Sequence, residues 1–275
     1  MTEIKGSEHK MQRETITSLQ NAKIKNVVLL REKSRERNRQ MLFPVEGKRE
    51  INMAVAGGYE IDSLFVCPEI CDTSDFSARY VYEVNRKVFE KIAYREESDG
   101  FLALMKVKSN SLHDINISGT PFIIVLESVE KPGNLGAILR TADAANVDAV
   151  IVCDPKSDFF NPNVIRSSLG CVFTVNTVTC SSENACEWLR KNNITIFAAE
   201  LESSQWYYNE DYTRGTAIVM GAESTGLSDL WLDKANKRIK IPMKGKVDSL
   251  NVSVSTAIIT FEAMRQRGFL KNNDS

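Results

Sequence analysis

From residue 120 onward the chain alternates nearly unbroken apolar runs with amphipathic stretches. The runs "PFIIVLE", "DAVIVCD", "VFTVNTV", "TIFAAEL", "TAIVMGA" and "KRIKIPM" predict strands. Residues 135–145, 162–169, 183–191, 228–235 and 252–266 predict helices between and after them. Strands that are apolar along their whole length are buried on both faces, which is the mark of a parallel sheet covered by helices. Their alternation with helices predicts an α/β fold.

The first half reads differently. Residues 15–40 carry a helical pattern through Leu19, Ile24, Val27, Val28 and Leu30, and end in "REKSRERNRQ". That stretch sets Arg31, Lys33, Arg35, Arg37 and Arg39 against Glu32 and Glu36. It predicts a solvated helix face with internal ion pairs, and the excess of cations admits phosphate contact. A short strand follows, then a helix over 48–56 stopped by Gly57 and Gly58, and a strand over 61–66. "ARYVYEVNRKVFEKIA" predicts a strand and the start of a helix, and "GFLALMKV" a closing strand. The organisation expected is a small α/β domain over 1–107, a polar linker "KSNSLHDINISG" over 108–119, and a larger α/β domain over 120–275. The polar first 13 residues are expected to fray.

Charge and cysteine content narrow the function classes. The chain has 275 residues, with 35 Lys and Arg against 36 Asp and Glu. A net charge of −1 excludes binding nucleic acid by bulk charge and leaves room for a local basic patch. Its six cysteines form no CxxC pair, and His9 and His113 do not sit at metal-ligand spacing with them, so no metal site is expected. Buried cysteines in a reducing cytoplasm fit this usage. The start "MTEIKGSEHKMQRE" has no apolar signal region, and no apolar run reaches about 18 residues, so a soluble cytoplasmic protein is expected.

In an open parallel sheet, ligands bind beyond the carboxyl ends of the strands. Three strand ends here lead into unusual loops. "ESVEKPGNLGAILRTADAA" brings Asn134 near a helix start and Arg140 into a run of apolar and small residues, a poor place for a solvated arginine. Asn134 has the side chain of a helix cap as well. "IVMGAESTGLS" places Glu223 between Gly221 and Gly226, which allow close backbone approach. "IPMKGKVDSLNVSVSTAIITFEAMRQR" runs through Gly245, Asp248, Ser249 and Asn251 into a helix, and Ser249 or Asn251 can cap it. Neither GxGxxG nor a phosphate-binding loop ending in GK[ST] is present, which argues against a dinucleotide-dependent oxidoreductase or an ATP site.

These three segments, complete and in order, resemble the three motifs of the SpoU (TrmH-like) family of RNA ribose 2′-O-methyltransferases, within the SPOUT class. "FNPNVIRSSLG" resembles the family's segment between the first two motifs, and the N-terminal half resembles an L30e-like substrate-binding domain. The resemblance implies a deep trefoil knot in the C-terminal domain, a homodimer joined through the knot region, and S-adenosylmethionine as cofactor. It implies cofactor contacts from Gly221, Gly226, Ile241, Met243 and Leu250. It assigns the acceptor hydroxyl's activation to Arg140, as a base or as a charged clamp on the adjacent phosphate. Asn134 would orient Arg140 or the ribose, Glu223 would hold the site together, and Ser249 and Asn251 would position substrate or cofactor. Arg166, Arg35, Arg37 and Arg39 would contact the RNA backbone. The implied substrate is 23S ribosomal RNA; transfer RNA, and a binding-only RNA protein, are the alternatives.

Overall fold

The structure, a computed structural model, describes residues 12–71, 76–108, 110–117, 119–156, 158–203 and 205–268. The polar end expected to fray lies, up to residue 11, outside the described residues. Two compact units are present: one takes the described residues through Lys108 together with Phe160–Pro162, the other takes the remainder.

The first unit is a mixed sheet with helices. Its strands are β1 (Gln12–Ile16), β2 (Leu42–Glu46), β3 (Ile61–Val66), β4 (Tyr80–Val84) and β5 (Phe101–Lys106), in the order β1-β4-β3-β5-β2. β1, β4 and β3 run parallel, and β5 is antiparallel to both β3 and β2. The helices are α1 (Ala22–Glu32), α2 (Ser34–Gln40), α3 (Lys48–Ala56) and α4 (Arg86–Ile92). Ile24, Val27 and Leu30 of α1 pack with Phe65, Val88, Phe89, Ile92, Leu102 and Leu104.

The single helix expected over 15–40 is in fact three elements. Residues 12–16 form an edge strand in which only Ile16 is buried, so a polar sequence suffices there. α1 starts after Asn21, whose Oδ1 accepts the Lys23 N–H at 2.8 Å. Lys33 leaves the helix at φ −118°, ψ 109° and separates α1 from α2. This break corrects the reading of Arg37 as an RNA contact. Arg37 is buried at 3% exposure, and its guanidinium donates to the carbonyls of Leu30 and Arg31. Those are last-turn carbonyls of α1 without helical partners, so Arg37 closes the end of that helix. Arg35 and Arg39 are exposed, with Arg39 bonded to Glu36 at 2.6 Å.

The second unit is built on a seven-stranded, wholly parallel sheet. β6 (Phe122–Glu127), β7 (Ala149–Cys153), β8 (Thr177–Cys180), β9 (Thr195–Ala199), β10 (Gln205–Trp206), β11 (Thr216–Met220) and β12 (Lys237–Lys240) lie in the order β10-β12-β9-β11-β6-β7-β8. Its helices are α5 (Pro132–Ala144), α6 (Pro162–Ser167), α7 (Cys171–Thr174), α8 (Ser182–Lys191), α9 (Asp229–Lys234) and α10 (Val252–Gln266). Ile123 and Val125 share one core with Ala185, Leu189 and Trp231 of α8 and α9. Their sheet neighbours Ile124 and Leu126, pointing the other way, are equally buried on the side where α5 and α10 pack together. The expected parallel sheet with both faces covered is what forms. Two details differ. "VFTVNTV" is not one strand, because Gly170 at φ +87° starts the short α7 and the strand begins only at Thr177. The two-residue β10, paired with β12, is too short to show as a pattern. Part of the polar stretch 108–119 also belongs here: Ile115 is buried in this core, with Leu112 and Ile117 against it.

α10 ends in a clasp. Arg267 donates from Nε to Tyr212 O at 2.8 Å, from Nη1 to Thr120 O at 2.6 Å, and from Nη2 to Arg214 O at 2.5 Å and Pro121 O at 3.4 Å. These carbonyls precede β6 and β11 at the amino edge of the sheet. None of the six cysteines forms a disulfide. Among the described residues no helix is long and apolar enough to cross a membrane, and no cluster of three His, Cys, Asp or Glu side chains has metal-holding geometry.

Replacing Arg37 by methionine keeps the volume and strands two helix-end carbonyls in the core. The expected loss is about 2 kcal/mol of stability in the first unit. Arg35→Ala on the exposed face should cost less than about 0.5 kcal/mol. Urea unfolding of the two variants checks the contrast.

Candidate active site

Because the seven strands run one way, the segments after β6, β11 and β12 leave the same edge of the sheet. So does the segment after β9, which lies between β11 and β12. The three loops singled out in the sequence therefore emerge side by side, with residues 200–203 among them.

The loop after β6 turns at Ser128, a non-glycine residue at φ +52°. Pro132 then opens α5, where its missing N–H costs nothing. Lys131, not Asn134, is the N-cap residue, and it makes no side-chain cap bond. Asn134 sits in the first turn of α5, and its Oδ1 accepts from Asn251 Nδ2 at 3.2 Å. Its own Nδ2 is buried with no partner among the described residues. Arg140 lies about 9 Å further along the helix and roughly 120° round it. It is exposed and forms no hydrogen bond or ion pair among the described residues.

After β11 the chain folds back on itself. The Gly226 N–H bonds Ala222 O at 2.9 Å, and Gly226 sits at φ +67°, where a side chain is strained. A Cβ on Gly221 would stand 2.5 Å from Leu227 N and overlap Gly226, so only glycine admits this fold. Glu223 reaches the preceding loop: its Oε2 is 3.2 Å from Lys131 Nζ.

After β12, Ile241, Pro242 and Met243 are half-buried and residues 244–250 are exposed. Val247 and Leu250 present apolar side chains to water at 62% and 38% exposure. Asn251 has two jobs. Its Oδ1 accepts from Ser253 N at 3.0 Å and caps α10, while its Nδ2 holds Asn134 across a separation of 117 residues.

The structure thus joins Asn134 to Asn251, Lys131 to Glu223, and Gly221 to Gly226. Ser249 is exposed in the third loop, and Arg166 is exposed on α6; neither contacts these pairs. Arg35, Arg37 and Arg39 belong to the first unit. Sequence reasoning passed over four features. Lys131 looks like any loop lysine. Glu127 closes a buried strand, and a carboxylate at the end of an apolar run was a usable signal. Ser228, an ordinary helix-start serine, bonds Glu127 through both its N–H, at 2.8 Å, and its hydroxyl, at 2.6 Å. Leu201, in the loop after β9, is 60% exposed on the site edge.

Chemically, the arrangement offers exposed apolar side chains, bare glycine backbone, paired amides and an unengaged guanidinium. No histidine or cysteine stands among the groups that join the loops, so nucleophilic catalysis by the protein has no candidate there. What the geometry provides is positioning and electrostatic stabilisation.

Comparison with known proteins agrees with this layout. Residues 121–261 match the SpoU rRNA methylase family, and residues 21–103 match the MRM3-like substrate binding domain. The 23S rRNA (guanosine-2′-O-)-methyltransferase RlmB of Pasteurella multocida is 37% identical over 194 residues, spanning 67% of this chain and 78% of that protein. A crystal structure of an RNA 2′-O ribose methyltransferase superposes with a TM-score of 0.80 at 35% identity, covering 92% of this chain and 99% of the other. The AdoMet-bound rRNA methyltransferase of Sinorhizobium meliloti superposes with a TM-score of 0.84 at 28% identity, covering 92% and 98%. With a family match that runs through all three site loops, the chain belongs to the SpoU rRNA methylase family.

Proposed function

We propose that this protein transfers a methyl group from S-adenosylmethionine to a ribose 2′-hydroxyl of RNA, with 23S ribosomal RNA as the substrate and the cytoplasm as its compartment. The observation that carries the reading is the joining of three loops at one sheet edge, by Asn134–Asn251 and Lys131–Glu223, with Arg140 exposed further along the helix whose first turn carries Asn134.

The residues present fit the cofactor. A nucleoside with an apolar methionyl arm needs apolar cover, and Leu201, Val247 and Leu250 are exposed at that edge. It also needs close approach to main chain, which Gly221 and Gly226 allow, with Ile241 and Met243 half-buried beside the third loop. Asn134 Nδ2 is a buried donor awaiting an acceptor, and substrate or cofactor oxygen would satisfy it.

When bound, the cofactor supplies an electrophilic methyl group on a sulfonium. The chain's part is to hold the 2′-oxygen in line with that methyl group. Arg140 grips the phosphate next to the acceptor ribose and stabilises negative charge as the hydroxyl proton departs. We favour this clamp over a base because, among the described residues, no neighbouring group bonds to the guanidinium to take its proton. Asn134 and Asn251 fix the first and third loops relative to each other, and Glu223 fixes the second through Lys131. Ser249 supplies a hydroxyl to substrate or cofactor from the exposed third loop. The asparagine link between the closing segment and α5 also supports the knotted path that the resemblance implies.

Ribosomal RNA is favoured over transfer RNA by the relatives' activity on 23S rRNA and by the substrate-binding match of the first unit. Arg35 and Arg39 there, and Arg166 in the second unit, are exposed cations suited to phosphate contact, which gives affinity without sequence choice. A homodimer is supported by α10. Its buried residues Val252, Thr256, Ile259 and Ala263 face the protein, while Val254, 47% exposed, and the half-buried Ile258 lie on its outer side. A helix apolar on both sides needs a second partner.

Three measurements test these points. Incubation with labelled S-adenosylmethionine and separated ribosomal and transfer RNA from cells lacking this gene should put label in a 2′-O-methylnucleoside of ribosomal RNA; label on a base or in transfer RNA refutes the assignment. Arg140→Ala should lower kcat by about 100- to 1,000-fold and leave cofactor affinity within about threefold. Val254→Glu combined with Ile258→Glu should convert a dimer to a monomer by light scattering.

A further inference from the structure

Glu127 is the most deeply placed charge at the site edge, at 7% exposure, and it takes no part in the mechanism above. It ends β6, beside Leu126, which is in register with Met220 at the end of β11. Its Oε2 accepts the Ser228 N–H at 2.8 Å, and its Oε1 accepts the Ser228 hydroxyl at 2.6 Å. Ser182 Oγ lies 3.3 Å from the same Oε1 but 2.6 Å from Asp154 Oδ2. A serine has one hydroxyl proton, so Ser182 gives it to Asp154 and receives the Trp231 indole N–H at 3.1 Å. The strong bonds of the Glu127 carboxylate are therefore both to Ser228.

Ser228 occupies the N-cap of α9 and makes no side-chain cap bond to that helix. A serine in this position ordinarily gives its hydroxyl oxygen to the first helical turn. Here the hydroxyl is turned onto Glu127 instead, and the helix start forgoes it. The consequence is mechanical. Met220 is fixed through Leu126 and Ser228 through Glu127, so two consecutive residues of β6 hold both ends of the loop 221–227. That loop carries Gly221, Glu223 and Gly226.

We propose that Glu127, acting through Ser228, is a positioning residue that holds the 221–227 loop in its cofactor-binding shape; the inference rests on the reading of that loop as an S-adenosylmethionine site. It binds no substrate itself. The carboxylate's task is to fix the exit of the loop while leaving the glycine backbone facing the ligand bare.

The test uses the full chain, with isothermal titration of S-adenosylmethionine, steady-state methyl transfer and thermal melting. Glu127→Gln keeps the shape but removes the charge and replaces one of the two acceptor oxygens with an amide NH2, and Ser228→Ala removes the hydroxyl from an exposed position. Each should raise the cofactor Kd and KM about tenfold, in line with loss of a hydrogen bond to a charged group. The RNA KM and the kcat at saturating cofactor should stay within about threefold. The double variant should be no worse than Glu127→Gln, because both changes break one pair. Ser228→Thr, which keeps both donors, should restore near-normal affinity. Trp231→Phe removes the indole N–H from Ser182 and some core packing without touching the Glu127–Ser228 pair, and should lower the melting temperature with cofactor KM unchanged. Unchanged cofactor KM in folded Ser228→Ala, or an equal rise in Trp231→Phe, overturns the proposal. If Glu127→Gln does not fold, Ser228→Ala and Ser228→Thr decide it alone. A wild-type chain that binds no S-adenosylmethionine overturns the functional reading and this inference with it, whereas wild-type binding with unaltered variants overturns this inference only.

Discussion

The parallel direction of the second sheet is the constraint from which the site follows. Parallel strands cannot be joined by tight hairpins, so each return must cross over through a helix or long segment. Every strand then ends at the same edge, and every loop that follows a strand is delivered there. Residues 127 and 221, nearly a hundred positions apart, become neighbours because β6 and β11 are adjacent and in register. The amide pair Asn134–Asn251 and the ion pair Lys131–Glu223 are secondary bolts on an arrangement the strand direction has already imposed.

The two edges of that sheet are finished with opposite charges. At the amino edge, where carbonyls of Thr120, Pro121, Tyr212 and Arg214 crowd together, the half-buried Arg267 guanidinium satisfies them with its planar fork of donors. Its proton affinity is lowered by that burial, with Asp148 and Asp211 acting to offset the effect. At the carboxyl edge the corresponding need is for acceptors, and the Glu127 carboxylate meets it at Ser228. The first unit repeats the logic on a smaller scale, where Arg37 closes the carbonyl end of α1. In each case a long or charged side chain is spent on main-chain groups that regular secondary structure leaves unmet.

What could be read from the chain and what could not divide along physical lines. The four central strands of the parallel sheet, β6, β7, β9 and β11, are almost wholly apolar because both faces are buried, and that pattern is local and visible. β1 was missed, its start read as a fraying end and its last two residues as helix, because an edge strand with one buried residue needs no apolar alternation. Arg37 could not be told from Arg35 or Arg39 by composition, since the difference lies in a chain break at Lys33 that turns one arginine inward. Within the site, Gly221 and Gly226 were legible because glycine carries a backbone demand in its identity. Asn251 was legible only as a cap, which it is; its second bond, to Asn134, spans 117 residues and has no local signature. The resemblance of the three motifs brought those residues together where periodicity could not.

The Arg267 clasp bears on how the protein is made. One of its carbonyl partners, Thr120 O, precedes the first strand of the second unit, 147 residues earlier in the chain. At synthesis rates of about 5–20 residues per second, roughly 7 to 30 s pass between the appearance of the two ends of that contact. Throughout that interval β6 can pair with β7, but the carbonyl-rich edge has no cation to close it. The first unit, whose contacts lie almost wholly within the earlier residues, can finish folding during the same interval. The nascent chain therefore presents a nearly complete first unit before the second, which carries the three site loops, can close.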